Sequence, residues 1–347
     1  MTEQRLTTPL GHEGPIPDEA FALIRLAEGF GAARAVQLAA ELGIADLLGD
    51  GPRSADDLAA ATATHPGVLY RLLRALAGVG VFTEVEPGRF ALTPVGERLR
   101  KDHPQSLRAW VLFQGLFNEV YAKAMHSVRT GTATAPLVYG EPLFAHLDRN
   151  PELGALFAEA MAQHSRLMGA ALAAAYDFSG ARRIVDLGGG NGSFLGAILR
   201  ANPQATGVVY DLPYVADAAR KQLAAAGLSE RCTFVSGDFL HEVPPDADVY
   251  MLKGIVHNWP DDQAVVLFAN CRRAMGPDSR LLLIEWVVPE GDVFHPSKFL
   301  DLAMLFVYGG QERTEREYRT LLGEAGLRLD RIVDTGSTLN VIEVKTA

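Results

Sequence analysis

The sequence predicts an α/β protein with a doubly wound parallel sheet in its C-terminal half and a mostly helical domain in front of it. From residue 182 onward, apolar runs of strand length alternate with helical stretches, the pattern of strands joined by covering helices. The first run, Ile184-Val185-Asp186-Leu187, passes into Gly188-Gly189-Gly190-Asn191-Gly192 and then into a helical stretch from Ser193. Such a strand–glycine turn–helix unit is Rossmann-like, because without a Cβ the backbone can approach a nucleotide-like ligand. Upstream, two helical segments precede two short strand-like runs, which is a winged-helix order.

In chain order, residues 1–17 are polar with glycine and proline and read as a flexible arm. Residues 18–110 form the winged-helix-like domain. Apolar residues at helical spacing over 32–42 stop at Gly43, and Ser54 precedes Ala55-Asp56-Asp57 as the N-cap of a short helix. Pro66 opens another helix, whose apolar face is Val68, Leu69, Leu72, Leu73 and Leu76. Strands are expected over 81–85 and 89–92, joined by Glu86-Pro87-Gly88. The candidate recognition helix offers only Arg71 and Arg74, so a structural or dimerising use is favoured over DNA binding. Residues 111–178 read as a helical linker and pocket region. Residues 179–347 are the catalytic domain, with five strands and four intervening helical stretches up to residue 286. A loop and helix follow around 290–308, then a helix near 314–325. Two last strands, 327–333 and 338–344, would pair antiparallel at the sheet edge.

Composition narrows the function. A length of 347 residues suits two domains, and 48% hydrophobic with 21% charged residues suits a globular chain. A net charge of −10 argues against a large nucleic-acid or anionic-membrane surface. No apolar stretch reaches spanning length, and Met1-Thr2-Glu3-Gln4-Arg5 lacks a signal core, so a cytoplasmic location is expected. Cys232 and Cys271 suit buried thiols in a reducing compartment. The nine histidines show no metal-ligand spacing, so no metal is expected.

The ligand is read from the strand ends. Asp211 ends the second strand 25 residues past Asp186, a spacing that suits a carboxylate on ribose hydroxyls. Asp238 ends the third, beside Phe239. Dinucleotide sites also use a glycine turn, but they need glycine or alanine where this chain has Ser193. Asp186 would repel a pyrophosphate and suits an ammonium or sulfonium charge. S-adenosylmethionine is therefore favoured over NAD, with a merely structural turn as the third reading. The fourth strand runs into Lys253-Gly254-Ile255-Val256-His257-Asn258-Trp259. An imidazole just past a central strand can take a proton near neutral pH. Glu285 ends the fifth strand on the same edge, and Glu312 follows the Gly309-Gly310 turn, placing two carboxylates where they could orient the imidazole.

The motifs Val185-Asp186-Leu187-Gly188-Gly189-Gly190-Asn191-Gly192, Tyr210-Asp211-Leu212-Pro213, Gly237-Asp238-Phe239, Leu252-Lys253-x-x-x-His257-Asn258-Trp259 and Gly309-Gly310-Gln311-Glu312-Arg313-Thr314 together resemble the plant-type small-molecule O-methyltransferases. That family includes acetylserotonin methyltransferase and bacterial enzymes that tailor aromatic antibiotics. The resemblance covers nearly the whole chain and implies the methyltransferase fold, an N-terminal dimerisation domain and a homodimer. It implies that Gly188 and Gly190 approach the methionine part of the cofactor, Asp211 holds the ribose, and Asp238 and Phe239 meet the adenine. Lys253 and Trp259 would close over that ring, with Ser165 also on the cofactor side. His257 would be the general base, flanked by Glu285 and Glu312. Phe157, Met161, His164 and Met304 would line a mainly apolar acceptor cavity. The expected reaction is methylation of a phenolic hydroxyl of an aromatic secondary metabolite, leaving S-adenosylhomocysteine. N-methylation, or a hydroxylation, decarboxylation or cyclisation assisted by the same cofactor, stays open on the same scaffold. A ligand-sensing winged-helix regulator is disfavoured by the acidic charge.

Overall fold

Apolar runs of five or six residues without alternation bury both faces, which only a sheet covered on two sides allows. The computed structural model describes residues 18–347, and the arm expected over residues 1–17 lies outside the described residues. The chain forms two compact units, one of residues 18–116 with Leu156–Gln163, the other of Phe117–Ala155 with His164–Ala347. The helical region 111–178 is thus divided between them.

In the first unit the helix Asp18–Glu41 is followed by Gly43 at φ 67°. Next come β1 (Arg53–Ser54), a helix Ala55–Thr62, a helix Pro66–Gly78, β2 (Phe82–Glu86) and β3 (Arg89–Leu92). The three strands pair antiparallel in the order β1-β3-β2, giving the expected winged-helix pattern. Ser54 caps its helix as predicted, its Oγ accepting from the Asp57 N–H at 3.0 Å. Leu69, Leu73 and Leu76 are buried with Leu58, Phe82 and Phe90. Val68, expected on that face, is 59% exposed. It lies one position off the 69–73–76 stripe, and a 100° rotation carries it out of the core. Leu23, Ile24, Leu26 and Phe30 are also exposed, in the N-terminal half of the long helix.

The second unit is built on a seven-stranded sheet of order β6-β5-β4-β7-β8-β10-β9. β4 (Arg183–Leu187), β5 (Thr206–Asp211), β6 (Cys232–Ser236), β7 (Val249–Lys253) and β8 (Arg280–Glu285) are parallel. These are the five expected strands. The helices between them number three, Ser193–Ala201, Ala216–Ala225 and Asp261–Ala274, where four were expected. Residues 237–248 cross from β6 to β7 without a helix. Pro244-Pro245 removes two backbone donors there and blocks helical continuation. β9 (Leu327–Asp334) and β10 (Asn340–Thr346) add antiparallel beside β8. The last strand begins two residues later than expected, because Thr335 Oγ1 donates to Leu339 O at 2.6 Å and closes a turn over 335–339. Successive β8 residues point to opposite layers, Leu281 and Leu283 to one and Leu282 and Ile284 to the other. The order reverses at β4, with β5 and β6 on one side and β7 and β8 on the other, so the crevice for a ligand opens at the carboxyl ends of β4 and β7.

Candidate active site

Chain geometry first fixes the glycine turn. Gly188 N donates to Tyr210 O at 2.8 Å, and Gly190 N donates to Asp211 Oδ2 at 2.8 Å. Gly188 has φ 70° and Gly190 φ 54°, in the left-handed region that disfavours side chains. A Cβ on Gly188 would stand 2.5 Å from Ile255 Cδ1, whereas one on Gly190 would meet nothing within 4 Å. The turn is therefore packed at one glycine and open at the other.

Asp186 lies beneath this turn, buried, with Oδ2 lacking a hydrogen-bond partner. Burial pushes its carboxyl up to about 7, partly offset by Lys253 and reinforced by Asp211. Asp211 is also raised, burial outweighing the Leu212 and Gly190 N–H bonds that favour its charge. An orphaned, buried carboxyl oxygen next to an open glycine fits a cationic ligand, and it disfavours a phosphate. Asp238 Oδ1 accepts from Leu240 N at 2.9 Å, and its Oδ2 lies 2.9 Å from His241 Nδ1. Phe239 and Trp259 meet edge to face, 6.0 Å apart at 90°. Lys253, expected beside Trp259, is set with its Nζ 5.4 Å from the Phe194 ring centroid. Burial lowers the Lys253 ammonium, while Asp186 and Glu285 support its charge.

His257 sits on a single helical turn, Val256–Asn258, just past β7. Its Nδ1 is 2.7 Å from Glu312 Oε1 and 3.8 Å from Glu285 Oε2, with both carboxylates buried. A carboxylate can only accept, so Nδ1 carries the hydrogen and Nε2 is left to bind a proton. Burial works against the imidazolium, but Glu285 and then Glu312 outweigh it, and the His257 pKa lies above its ordinary value. Glu285 Oε1 also accepts from Ile255 N at 3.0 Å and Val256 N at 2.8 Å, so this carboxylate fixes the turn that carries His257. Glu285 is itself raised, mainly by burial. One ligand-type atom from each of His257, Glu285 and Glu312 lies within 4.8 Å of the others. Glu312 is hydrogen-bonded to the imidazole and Glu285 to two backbone N–H groups, while Glu285 Oε2 and Glu312 Oε2 are buried with no hydrogen-bond partner among the described residues.

The remaining sequence-proposed residues fall in both units. Phe157, in the first, has its ring 5.2 Å from Phe113, and Met161 is half-buried further along the same helix. His164 and the half-buried Ser165 belong to the second unit, as does Met304, buried in the π-helical turn Met304–Tyr308. Sequence reasoning missed three residues. Trp286 lies nearly parallel to His257, with ring centroids 5.9 Å apart at 9°, and is 5.7 Å from His164. Asp301 Oδ1 accepts from Glu312 N at 2.8 Å. Arg313, next to Glu312, is fully buried. Trp286 was signalled only by following Glu285, and Arg313 only by belonging to the Gly309–Thr314 motif.

Comparisons with known proteins identify the family. An O-methyltransferase domain matches residues 121–328, and an O-methyltransferase dimerisation domain matches residues 24–102. The phenazine O-methyltransferase PhzM of Lysobacter antibioticus is 41% identical over 324 residues, covering 93% of this chain and 95% of that protein. The structure of CalO1, a methyltransferase of calicheamicin biosynthesis in its S-adenosylhomocysteine-bound form, superposes with a TM-score of 0.83. It is 40% identical and covers 95% of this chain and 98% of that one. Aclacinomycin 10-hydroxylase RdmB of Streptomyces purpurascens is 37% identical over 311 residues, covering 88% of this chain and 83% of that protein. The chain belongs to the O-methyltransferase family.

The base assembly has a direct consequence for Glu312→Gln. Removing one of the two carboxylates that hold His257 above its ordinary pKa should lower it. NMR titration of the His257 imidazole should show the lower value, and an unchanged one would mean that the 2.7 Å contact does not support the imidazolium.

Proposed function

We propose that this protein transfers a methyl group from S-adenosylmethionine to a phenolic hydroxyl of an aromatic secondary metabolite, with His257 as general base. The observation that carries this reading is the His257–Glu312 pairing at 2.7 Å, which turns Nε2 into a proton acceptor. When bound, S-adenosylmethionine supplies a sulfonium-activated methyl group and leaves as S-adenosylhomocysteine. Gly188 and Gly190 let the backbone approach it, Asp186 faces its cationic portion, and Asp211 accepts from ribose hydroxyls. Asp238, Phe239 and Trp259 serve the adenine, while Lys253 and Ser165 complete the cofactor side. His164 and Met304 are the acceptor-facing residues of the second unit. His257 removes the hydroxyl proton as the oxygen is alkylated, and Glu285 and Glu312 stabilise the imidazolium. A phenol is acidic enough for an imidazole to assist, and the phenazine of the relative named above is an aromatic framework.

His257→Ala tests the chemistry. Turnover should fall about a hundredfold or more while cofactor affinity is kept. In the parent enzyme kcat/KM should climb with pH along a limb lying above the ordinary imidazole value of 6.5, since the base must be neutral to accept a proton. Product analysis must place one methyl on oxygen. Insertion of an oxygen atom instead, as the name of the hydroxylase relative would suggest, would overturn the reading.

Asp186 ties cofactor affinity to pH. In the free protein its carboxyl titrates at about 7, and a cation beside it favours the charged form. Binding should therefore expel a proton, and affinity should rise as pH climbs through 7. Calorimetry in buffers of different ionisation enthalpy reads that proton directly, and Asp186→Asn should abolish the dependence. A pH-independent affinity in the parent would reject this role.

The active species is proposed to be a C2 homodimer formed through the 18–110 domain. Leu23, Ile24, Leu26 and Phe30 are 69%, 44%, 75% and 60% exposed, more apolar surface than one helix leaves in water without a partner. Light scattering at micromolar concentration should give twice the chain mass, and Leu23→Glu with Leu26→Glu should shift it toward the monomer. A parent protein that scatters as a monomer contradicts the proposal.

A further inference from the structure

Arg313 carries a guanidinium that is fully buried, yet Asp261, its ion-pair partner among the described residues, has a side chain 58% exposed. Burying a charge is expensive unless its donors are all used to advantage. Here the fork is spread over three points of one loop. Nη1 donates to Val256 O at 3.0 Å, and Nη2 donates to Trp259 O at 2.8 Å. Nε and Nη2 both donate to Asp261 Oδ1, at 3.0 and 2.7 Å. The two carbonyls bracket His257, one just before it and one at Trp259. The same strand of chain grips the loop twice more: Gln311 N donates to His257 O at 2.9 Å, and Gln311 Nε2 donates to Asp261 Oδ1 at 2.6 Å. Gly310 lies so close that a Cβ on it would collide with the His257 carbonyl. Behind it, Arg313 O accepts from Val288 N at 3.0 Å, which anchors Arg313 to the segment that follows β8.

Consecutive residues thus hold the base from two directions. Glu312 takes the imidazole by its Nδ1, and Arg313 takes the backbone on which the imidazole is mounted. Only a planar fork reaches both carbonyls and the carboxylate together. We propose that Arg313 is a positioning residue that locks His257 and Trp259 into one rigid frame, so that base placement and cofactor affinity depend on the same side chain. This rests on the reading of His257 as base and Trp259 as a cofactor contact.

The test is a pair of double-mutant cycles. Arg313→Gln, verified as folded by near-ultraviolet dichroism, should weaken S-adenosylhomocysteine binding and lower kcat, each by about tenfold. In a Trp259→Ala background it should cost little further affinity, and in a His257→Ala background little further turnover, because residues acting through one another do not add. Losses that add in full, or a folded Arg313→Gln protein with lower Tm but both parameters within about twofold of the parent, would overturn the proposal. Should Arg313→Gln fail to fold, Asp261→Ala frees the fork from its exposed partner. It should then produce the same paired loss at smaller size, and unchanged affinity and turnover would be equally fatal. If Trp259→Ala alone leaves affinity intact, the cofactor role assigned to Trp259 falls, and the cycle with His257 decides the proposal by itself.

Discussion

A line of buried ionisable groups along the carboxyl edge of β4, β7 and β8 is the constraint that the rest of the second unit serves. Asp186, Lys253, Glu285, His257 and Glu312 act on one another in that order, with alternating sign. Asp186, Glu285 and Glu312 are buried, Lys253 and His257 are half-buried, and burial works against the charge of Asp186, Lys253, Glu285 and His257. Lys253 is lowered by burial but supported by Asp186 and Glu285, and His257 is carried above its ordinary value by its two carboxylates. A string of this kind is stable only while its geometry is kept, because an uncompensated member would cost several kcal/mol. The surrounding fold supplies that geometry through rigid features. Three parallel strands end together, Ile255 and Val256 N–H groups hold Glu285, and Asp301 accepts from the Glu312 backbone.

The string also joins the glycine turn to the His257 imidazole. Asp186, under the glycine turn, is the end that a cationic ligand would meet, and Glu312 is the end that holds the His257 imidazole. Lys253 lies between them, and its charge is balanced by Asp186 on one side and Glu285 on the other. A positive charge brought to Asp186 would therefore draw the carboxyl into its ionised form, which in turn supports the Lys253 ammonium. This coupling passes through adjacent charges and requires no movement of the backbone.

Legibility in the sequence followed the range of the interaction. The glycine turn, the five parallel strands, the Ser54 cap and the strand-end residues Asp186, Asp211, Glu285 and His257 were readable because each is signalled within a few positions of itself. The missing helix at 237–248 was a local error, since Pro244-Pro245 stood in plain view. Val68 was misplaced because a helical face is about 100° wide and the sequence does not mark its rim. Trp286, Asp301 and Arg313 were not readable in that way. Arg313 looks like any charged residue near a helix start, and its burial depends on carbonyls more than fifty positions earlier. The Glu312 contact, 55 positions from His257, was anticipated from the glycine pair that marked a turn there and from the family resemblance.

His164 shows how the surroundings of the base limit its charge. Burial is the main reason its pKa falls to about 4, with Lys253 and His257 adding to the effect. It is therefore neutral near pH 7, and it lies against Trp286, the ring that also flanks His257. A second imidazolium at that place would repel a protonated His257 and would oppose the Glu285 and Glu312 support. With His164 neutral, a proton taken up by this pair goes to the imidazole that two carboxylates face. The indole of Trp286 offers that imidazolium a polarisable surface on one side without a competing proton. The two imidazoles thus shift in opposite directions, burial lowering His164 while Glu285 and Glu312 raise His257.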